Sequence, residues 1–416
     1  MDADKKHIKE ISDCLQQAAS SVRILRNIAW PQTIKNEFFN NKAQKLPVVN
    51  YGVYDPKPVL DLIKKANQLI GGESSNIHAW ASGIANKIES SALLLASRGT
   101  SEFFTHTEAL YGKPVDPLHN GLHTTLELAH HFDSVFDSVN HIDLGVDTSQ
   151  KFSADLLAKS MRKVVKDNFG DLAPEIVMDE TLASNALAGR RRVCLRPTAQ
   201  FTDKDVNQLI QHELFVHVAT SLNGYNQPSI KILREGHPGT TKTQEGLAVF
   251  AEFITGSIDL DRLQRLSDRV IAIQMAIEGA DFLQVYQYYL EKTDNPDQSF
   301  ESAKRVFRGG VMTGGAPFTK DIVYLEGLIT VHNFLRVAIS KGKLEYLDLL
   351  FCGKLDIMDL PVLKELSEMG LIEKPKFFPP WIKDKRFLLS YLSYSSFLNG
   401  INLDRLKIHY ESVLNS

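Results

Sequence analysis

The segment QHELFVHV (residues 211–218) places two histidines five positions apart, with a glutamate directly after the first histidine. An α-helix turns about 100° per residue, so a residue four positions on lies within about 40° of the starting direction, whereas a residue five positions on lies about 140° away. His212 and His217 can therefore share a metal ion only if the helix contains a π-bulge, which absorbs one extra residue. On an undistorted helix the two histidines would be an ordinary feature of its surface.

The residues around this pair favour a metal site. Glu213 has the position of the general base in helical zinc-hydrolase motifs. Further along, TQEGLAVFAEF (residues 243–253) supplies Glu245 and Glu252, which are seven residues apart and hence near one face of a helix. A carboxylate from this segment would complete a set of two histidines and one glutamate, leaving one position open for water. The spacing alone leaves the choice between these two glutamates open.

The composition is that of an ordinary globular protein. The chain has 416 residues, 43% hydrophobic and 23% charged, with a formal net charge of −3, which argues against nucleic-acid binding through bulk positive charge. The three cysteines lie far apart, as is typical of a reducing compartment. Neither a signal peptide nor an uninterrupted run of about 18 apolar residues is apparent. We therefore predict a cytoplasmic protein without a membrane span.

Helical periodicity dominates the sequence. We expect helices over residues 5–28, from about residue 58, and over 76–98, 118–139 and 150–167. The predicted architecture is α+β and mainly α, with a helical N-terminal region at residues 1–110 and a second domain at residues 111–416.

A change of pattern precedes the histidine pair. Residues 174–180 and 189–197 are short, β-prone and bounded by proline, glycine and charges, so both are predicted strands. Thr202 or Asp203 caps the next helix, which is expected to end near Asn223 and to be followed by a polar loop of about twenty residues. The glycine-rich segment 307–318 lacks the GK[ST] ending of a phosphate loop, so we interpret it as a pocket-forming or mobile loop.

Three segments together resemble a known family. QHELFVHVATSLNG, TQEGLAVFAEF and TKDIVYLEGL (residues 319–328) occur in the order seen in the QEGLA-motif proteins, whose bacterial members are called flavohaemoglobin expression-modulating proteins. That family is related to the microtubule-associated tyrosine carboxypeptidases of animals, which carry HExxxH, EEGLA and KDxxYLxG segments. The resemblance is best over about residues 180–340. It implies a zincin-like metallopeptidase core, with a small sheet beside the HExxxH helix.

The resemblance also implies roles for individual residues. His212, His217 and Glu245 match the ligands of one Zn²⁺ per chain, and Glu213 matches the catalytic glutamate. Glu252 then supports the site without binding the metal. The departure is the glutamine before Glu245, where the animal enzymes have a glutamate that is not a ligand. The QEGLA spelling suggests a bacterial chain, which argues against tubulin as its target.

A carboxypeptidase also has to bind the free terminal carboxylate of its substrate. The planar guanidinium of arginine matches a carboxylate in bidentate geometry, so Arg308, Arg305 and Arg191 are candidates, and Lys320 is a further basic candidate. Tyr324 could donate a hydrogen bond to the tetrahedral oxyanion, although it could equally pack on a helix face. The segment 189–197 could serve as an edge strand that pairs with an extended substrate.

A second group of histidines, His119, His123, His130 and His131, has no glutamate placed as a general base. We interpret this segment as an ordinary amphipathic helix.

Three hypotheses follow. The leading one is a zinc-dependent metallocarboxypeptidase that removes the C-terminal residue of a peptide or protein, with Glu213 as general base and Tyr324 as a second catalytic group. The first alternative is a non-catalytic regulatory or binding protein that retains a structural metal site. The second is a degenerate peptidase fold that serves as a scaffold. We expect neither nucleic acid nor membrane as a partner, and the sequence does not indicate an oligomeric state.

Overall fold

The computed structural model describes residues 2–72, 75–118, 121–139, 142, 151–180, 182, 185–398 and 400–414. Over these residues the chain is mainly helical with two small sheets, which confirms the predicted α+β, mainly α class.

In the N-terminal half, helices both precede and follow the first strand in sequence. They are α1 (Asp2–Ser21), α2 (Ile24–Asn27), α3 (Gln32–Asn40), α4 (Lys57–Ile70), α5 (Asn76–Ala96), α6 (Glu102–Tyr111), α7 (Thr125–Val139) and α8 (Ala154–Phe169). The later helices follow the sheets. They are α9 (Asp203–Leu209), α10 (Ala219–Tyr225), α11 (Pro238–Ile254), α12 (Leu260–Ile277), α13 (Phe282–Thr293), α14 (Pro296–Phe307), α15 (Val323–Ser340), α16 (Glu345–Leu349), α17 (Leu360–Glu368), α18 (Pro380–Lys383), α19 (Lys385–Leu398) and α20 (Leu403–Leu414).

The strands form two sheets. They are β1 (Phe152–Ser153), β2 (Glu175–Met178), β3 (Ala186–Ala188), β4 (Arg192–Leu195) and β5 (Gln200–Phe201). β1 pairs with β5, and the other sheet has the order β2–β4–β3, with β4 parallel to β2 and antiparallel to β3. Both predicted strands are present. The prediction that segment 189–197 is an edge strand is wrong, because β4 is paired on both sides, and β2 and β3 form the edges.

The predicted helix start is confirmed at α9 and differs at α11 and α7. Thr202 caps α9, because its side chain accepts a hydrogen bond from the backbone N–H of Asp205, whose carboxylate accepts one from the Thr202 N–H. α11 begins at Pro238, five residues before the predicted start, since proline is favourable in the first turn of a helix. α7 begins at Thr125 rather than at residue 118.

The N-terminal helices share one hydrophobic core with the helices that carry the sequence motifs. Buried side chains of α1, α4 and α5 pack in the same cluster as Leu247 and Phe250 of α11 and Val331 of α15. Polar contacts join the same regions, since the Ser12 hydroxyl accepts a hydrogen bond from the Ile232 N–H over 3.1 Å. The boundary near residue 110 stays a prediction.

α11 and α15 pack with their backbones in close contact. A Cβ added to Gly246 of α11 would lie 2.3 Å from the carbonyl oxygen of Gly327 in α15, and one added to Gly327 would lie 2.4 Å from the carbonyl oxygen of Lys242. No side chain fits at either position without moving backbone. The glycines of the QEGLA and YLEG segments therefore set the distance between the two helices.

One segment of the described residues, Thr319–Ser340, has the length and composition of a membrane-crossing helix, with a mean hydropathy of 1.4. Lys320, Asp321 and Glu326 lie among its apolar residues, so it does not form an uninterrupted apolar run. A helix of a protein core meets the same criterion. In this fold the segment comprises a 3₁₀ turn followed by α15, which packs against α11.

Candidate metal centre

The histidine pair lies on a π-helix. Residues Ile210–Val218 form this element between α9 and α10, so the distortion that the five-residue spacing required is present. The extra residue in the turn brings the two imidazoles onto one side, and the ring centroids of His212 and His217 are 4.9 Å apart. Two nitrogen donors are thereby placed next to each other.

Glu245 completes the group from the neighbouring helix α11. Its Oε2 atom lies 3.6 Å from Nε2 of His212 and 3.5 Å from Nε2 of His217. The three ligand atoms all lie within 4.8 Å of one another, and the residues are buried or half-buried. Two imidazole nitrogens and one carboxylate oxygen form the donor set that the sequence indicated.

Glu252 and Arg262 orient the first of these histidines. Nδ1 of His212 lies 2.6 Å from Oε1 of Glu252, and Arg262 donates to both oxygens of that carboxylate over 3.0 Å. A carboxylate held by a guanidinium acts as acceptor, so the ring donates its Nδ1–H to Glu252 and directs Nε2 toward Glu245. Metal-binding histidines commonly donate their second N–H to a carboxylate in this way.

The electrostatics of the three groups favour a cation. Burial disfavours protonation of His212, but its hydrogen bonds with Glu245 and Glu252 raise its pKa to about 10. Burial also disfavours ionisation of Glu245, yet Lys320 and the two histidines hold its pKa well below the usual range. A divalent ion would replace the proton on His212 and bind the carboxylate in its ionised form.

Glu213 lies beside this group and touches the edge of the sheet. It is 9% exposed, and its Oε2 atom accepts a hydrogen bond of 3.1 Å from the backbone N–H of Ala188 in β3. The strand thus fixes the carboxylate that follows His212 in sequence. A buried carboxylate beside a group of metal donors is well placed to accept a proton.

Lys320 and Tyr324 stand on the other side of Glu245. The ammonium group of Lys320 donates to Oε1 of Glu245 over 3.2 Å, and it lies 5.0 Å from the centre of the Tyr324 ring. Both residues come from the segment TKDIVYLEGL, which begins as a 3₁₀ turn and continues into α15. The structure therefore brings these two predicted residues to the metal donors.

Two of the predicted arginines, Arg305 and Arg308, lie against Asp321 and Phe318. Arg305 donates to Oδ2 of Asp321 over 2.6 Å. Arg308 packs over the Phe318 ring with 5.5 Å between its Cζ atom and the ring centre, and burial together with the charge of Arg305 lowers its pKa to about 10. Both belong to a cationic region that continues from Lys320 and Tyr324.

Arg191 does not join this region. Its side chain is exposed, and its carbonyl oxygen accepts a hydrogen bond from the N–H of Glu175 at the start of β2, on the side of β4 opposite to β3. Its neighbour Arg192 lies 3.8 Å from the Glu175 carboxylate. The edge strand next to Glu213 carries Ala186–Ala188 instead, so the arginine run belongs to a different part of the sheet.

Sequence reasoning missed three arginines of α12 and one lysine. Arg262, Arg265 and Arg269 recur at steps of three and four residues, a signal that would have placed them on one helix face. Arg269 lies 5.0 Å from the centre of the Tyr324 ring. The lysine is Lys354. Burial lowers its pKa, although the nearby charges of Glu235, Glu245 and Glu213 raise it.

The second histidine group has no comparable arrangement among the described residues. His123 lies 3.4 Å from Glu127, and both side chains are largely exposed. His130 and His131 are exposed on α7, and His119 lies outside the described residues.

The glycine-rich segment 307–318 is held by its own packing, because a Cβ on Gly310 would lie 2.0 Å from the Ala316 carbonyl oxygen.

Known proteins give two points of comparison. A solved structure described as a lipoprotein from Colwellia psychrerythraea is similar at 12% identity and a TM-score of 0.44, over 76% of this chain and 66% of that chain. No curated protein sequence matches the chain. A family model described as microtubule-associated tyrosine carboxypeptidase matches residues 36–400. The donor group and its surroundings lie within this match. The chain therefore belongs to the microtubule-associated tyrosine carboxypeptidase family.

Proposed function

We propose that the protein is a zinc-dependent metallocarboxypeptidase with a zincin-like core, which removes the C-terminal residue of a peptide or protein. Family membership implies a carboxypeptidase-related function. The observation that supports the finer proposal is the approach of His212, His217 and Glu245 to within 4.8 Å, beside the buried Glu213. A cytoplasmic location and the absence of nucleic-acid or membrane partners remain predictions.

The donor set fits zinc. Catalytic zinc sites commonly have three protein ligands from histidine and carboxylate, with the remaining position open. Both Nε2 atoms face the same oxygen of Glu245, and the Nδ1 position of His212 is taken by Glu252. When bound, zinc supplies acidification of a water molecule and polarisation of the scissile carbonyl.

The chain's own residues would carry the proton and hold the substrate. Glu213 accepts a proton from the attacking water and gives it to the nitrogen of the departing residue as the peptide bond breaks. Tyr324 donates a hydrogen bond to the carbonyl oxygen as negative charge develops there. Arg308 binds the terminal carboxylate, Arg305 adds positive charge beside it while paired with Asp321, and Lys320 holds Glu245 in its ionised form. β3 lies at an edge of its sheet beside Glu213 and would line the path of an extended substrate.

The decisive experiment compares wild type with Glu213→Gln. We expect one zinc per chain in both proteins, and in the variant a loss of peptide hydrolysis of about 10³-fold or more, because the proton acceptor is gone while the ligands remain. Zinc is measured by elemental analysis after dialysis, and hydrolysis by mass spectrometry on peptides that differ only in the last residue. Glu278→Gln serves as the matched control, because it is the same substitution at an exposed glutamate.

Two results would overturn the proposal. Folded chain that binds no zinc when it is supplied would remove the metal centre. A metal site closed by a fourth protein ligand would favour the structural alternative, since structural zinc sites are usually closed by cysteine and histidine. Among the described residues the donor group has three members, and Cys194 on β4 is outside it.

A further inference from the structure

One wall of the site, formed by α12, the end of α14 with the residue after it, and the turn before α15, carries more positive charge than its carboxylates neutralise. Three cations each have a carboxylate partner: Arg262 with Glu252, Lys320 with Glu245, and Arg305 with Asp321. A fourth carboxylate, Asp268, faces Arg269, but among the described residues it accepts its hydrogen bond from the Tyr288 hydroxyl and forms no ion pair with Arg269. These contacts leave two guanidiniums to be explained, those of Arg269 and Arg308.

Neither guanidinium donates a hydrogen bond to a carboxylate within the part of the chain that the structure describes. The Nε atom of Arg308 is buried and has no hydrogen-bond partner there. Arg269 is half-buried and lies against the Tyr324 ring, with its Cζ atom 5.0 Å from the ring centre. Burial and the charge of Arg305 lower the pKa of each guanidinium to about 10, so both remain charged at neutral pH. Buried charges normally have a partner, and a ligand can supply one.

The positions of the two arginines suggest different roles. Arg269 comes from α12, the helix that also carries Arg262, and it lies against the tyrosine closest to Lys320 and the metal donors. Arg308 follows α14 and lies over Phe318, next to the Arg305–Asp321 pair. One cation is therefore available for the main-chain carboxylate of a substrate's last residue, and a second remains for another negative group.

We propose that Arg269 is a specificity-determining residue and that the site prefers a C-terminal glutamate or aspartate. Arg308 binds the terminal carboxylate, and Arg269 binds the side-chain carboxylate of the same residue. A terminal tyrosine brings one negative charge to this wall, whereas a terminal glutamate brings two. This inference rests on the proposed carboxypeptidase function and departs from the tyrosine in the name of the family.

Binding to an inactive enzyme tests the inference without relying on turnover. Zinc-loaded Glu213→Gln protein is titrated with fluorescent peptides that are identical except for a last residue of glutamate, glutamine or tyrosine. We expect the glutamate peptide to bind at least about tenfold more tightly than the glutamine peptide, which corresponds to about 1.4 kcal/mol. Adding Arg269→Gln should reduce that ratio to below about threefold, because the charge that distinguishes the two peptides is removed.

Matched variants separate specificity from loss of structure. Arg269→Lys should keep part of the discrimination, since it preserves the charge without the bidentate geometry. Arg405→Gln, an exposed arginine on α20, should leave the ratio unchanged. Thermal unfolding of each variant identifies any that fail to fold, and the lysine variant then decides the question.

The possible outcomes separate the two proposals. If Arg269→Gln weakens the glutamate and glutamine peptides by the same factor, or if the tyrosine peptide binds best, the inference is overturned. If wild type cleaves tyrosine-ending peptides in preference to the others, the function stands and the inference fails. If no peptide is cleaved but the glutamate preference depends on Arg269, the binding inference stands and the hydrolase function fails.

Discussion

Glu252 illustrates how one residue outside the donor group controls it. Its carboxylate is fully buried, and it accepts hydrogen bonds from both His212 and Arg262. Burial opposes its ionisation, but Arg262 and His212 lower its pKa to about 2. The negative charge is therefore stable, and it fixes both the tautomer and the orientation of the imidazole.

Replacing Glu252 with glutamine should weaken zinc binding by about 10- to 100-fold, because the neutral amide holds His212 less firmly and leaves Arg262 without its carboxylate. Competition with a chromophoric chelator measures the affinity. Glu278→Gln is the control, because Glu278 is exposed and its carboxylate accepts a hydrogen bond from the Gln274 side chain. An unchanged affinity in Glu252→Gln would show that the carboxylate does not orient the ligand.

Asp268 gives a prediction for pH. It accepts a hydrogen bond of 2.8 Å from the Tyr288 hydroxyl, and burial raises its pKa to about 6 despite Tyr288 and Lys292. The native chain thus binds this proton more tightly than the unfolded chain does. The resulting stability is present below about pH 4 and is lost as the pH rises through about 6.

Asp268→Asn should remove this dependence, because the amide oxygen still accepts from Tyr288 and carries no charge. Relative to wild type, the variant's free energy of unfolding should rise between about pH 4 and about pH 7 by roughly 1–3 kcal/mol. Urea unfolding at the two pH values measures it. Parallel pH profiles for the two proteins would contradict the assignment. Asp133 and Arg269 also face Asp268, so each variant is compared only with wild type.

Some residues of the site could be predicted from sequence and others could not. His212, Glu213, His217 and Glu245 stand in short motifs whose spacing has a direct geometric meaning. Arg269 stands in an ordinary amphipathic helix, and its position against Tyr324 depends on how α12 packs. Local spacing therefore indicates the donors, whereas the charge around them arises from tertiary structure.

At the scale of elements, the π-helix does two things at once. It brings the two histidines together, and it sets the rotation of α10 that follows it. Asn223 of α10 donates to the carbonyl oxygens of Phe351 and Phe377 over 2.8 and 2.7 Å, and it accepts from the Lys376 N–H. These bonds tie the residues after α16 and the segment after α17 to α10, which directly follows the π-helix.

Deleting Phe215 would convert the pair to the spacing of four residues that suits an α-helix, and would rotate α10 by about 100°. We expect the metal donors to remain adjacent while Asn223 loses its partners, so the chain should become less stable by several kcal/mol, as when buried hydrogen bonds lose a partner. Thermal unfolding with and without zinc measures this. A deletion variant as stable as wild type would show that the π-helix has no role in positioning α10.

The close contact of α11 and α15 gives a second test at this scale. Gly246→Ala places a methyl group against the backbone of Gly327, so we expect a loss of about 1–3 kcal/mol and weaker zinc binding through Glu245. Gly83→Ala in α5 is the matched control, because nothing lies within 4 Å of its Cβ position. That control should gain about 0.5–1 kcal/mol. Equal effects of the two substitutions would contradict the packing argument.

The strands show the limit of sequence reasoning for elements. β2 and β4 were predicted because each contains β-branched and apolar residues bounded by glycine, proline and charge. β3 consists of Ala-Leu-Ala, which has no β-prone pattern and forms a strand by pairing with β4. Its position at the sheet edge next to Glu213 could therefore be seen only in the fold.

For the whole molecule, the shared core predicts that the region before residue 110 cannot be removed. A fragment of residues 111–416 would expose the face of α11 that packs against α5 and the other buried side chains that share a core with α1, α4 and α5. We expect it to aggregate or to lack a cooperative unfolding transition, because a large apolar surface would be left in water. Calorimetry of the fragment and of the full chain measures this. A fragment that unfolds cooperatively would support an independent second domain.

The backbone contact between Gly246 and Gly327 also limits how this protein can change. Glu245 belongs to one of the two helices, Tyr324 belongs to the first turn of the other, and Lys320 lies in the 3₁₀ turn directly before it. Since these helices cannot come closer together, the span between the carboxylate ligand and the tyrosine is nearly constant. Variation in which peptide ends are accepted must then come from α12, from the residues after α14 or from β3. Engineering of a new preference should begin at those three walls.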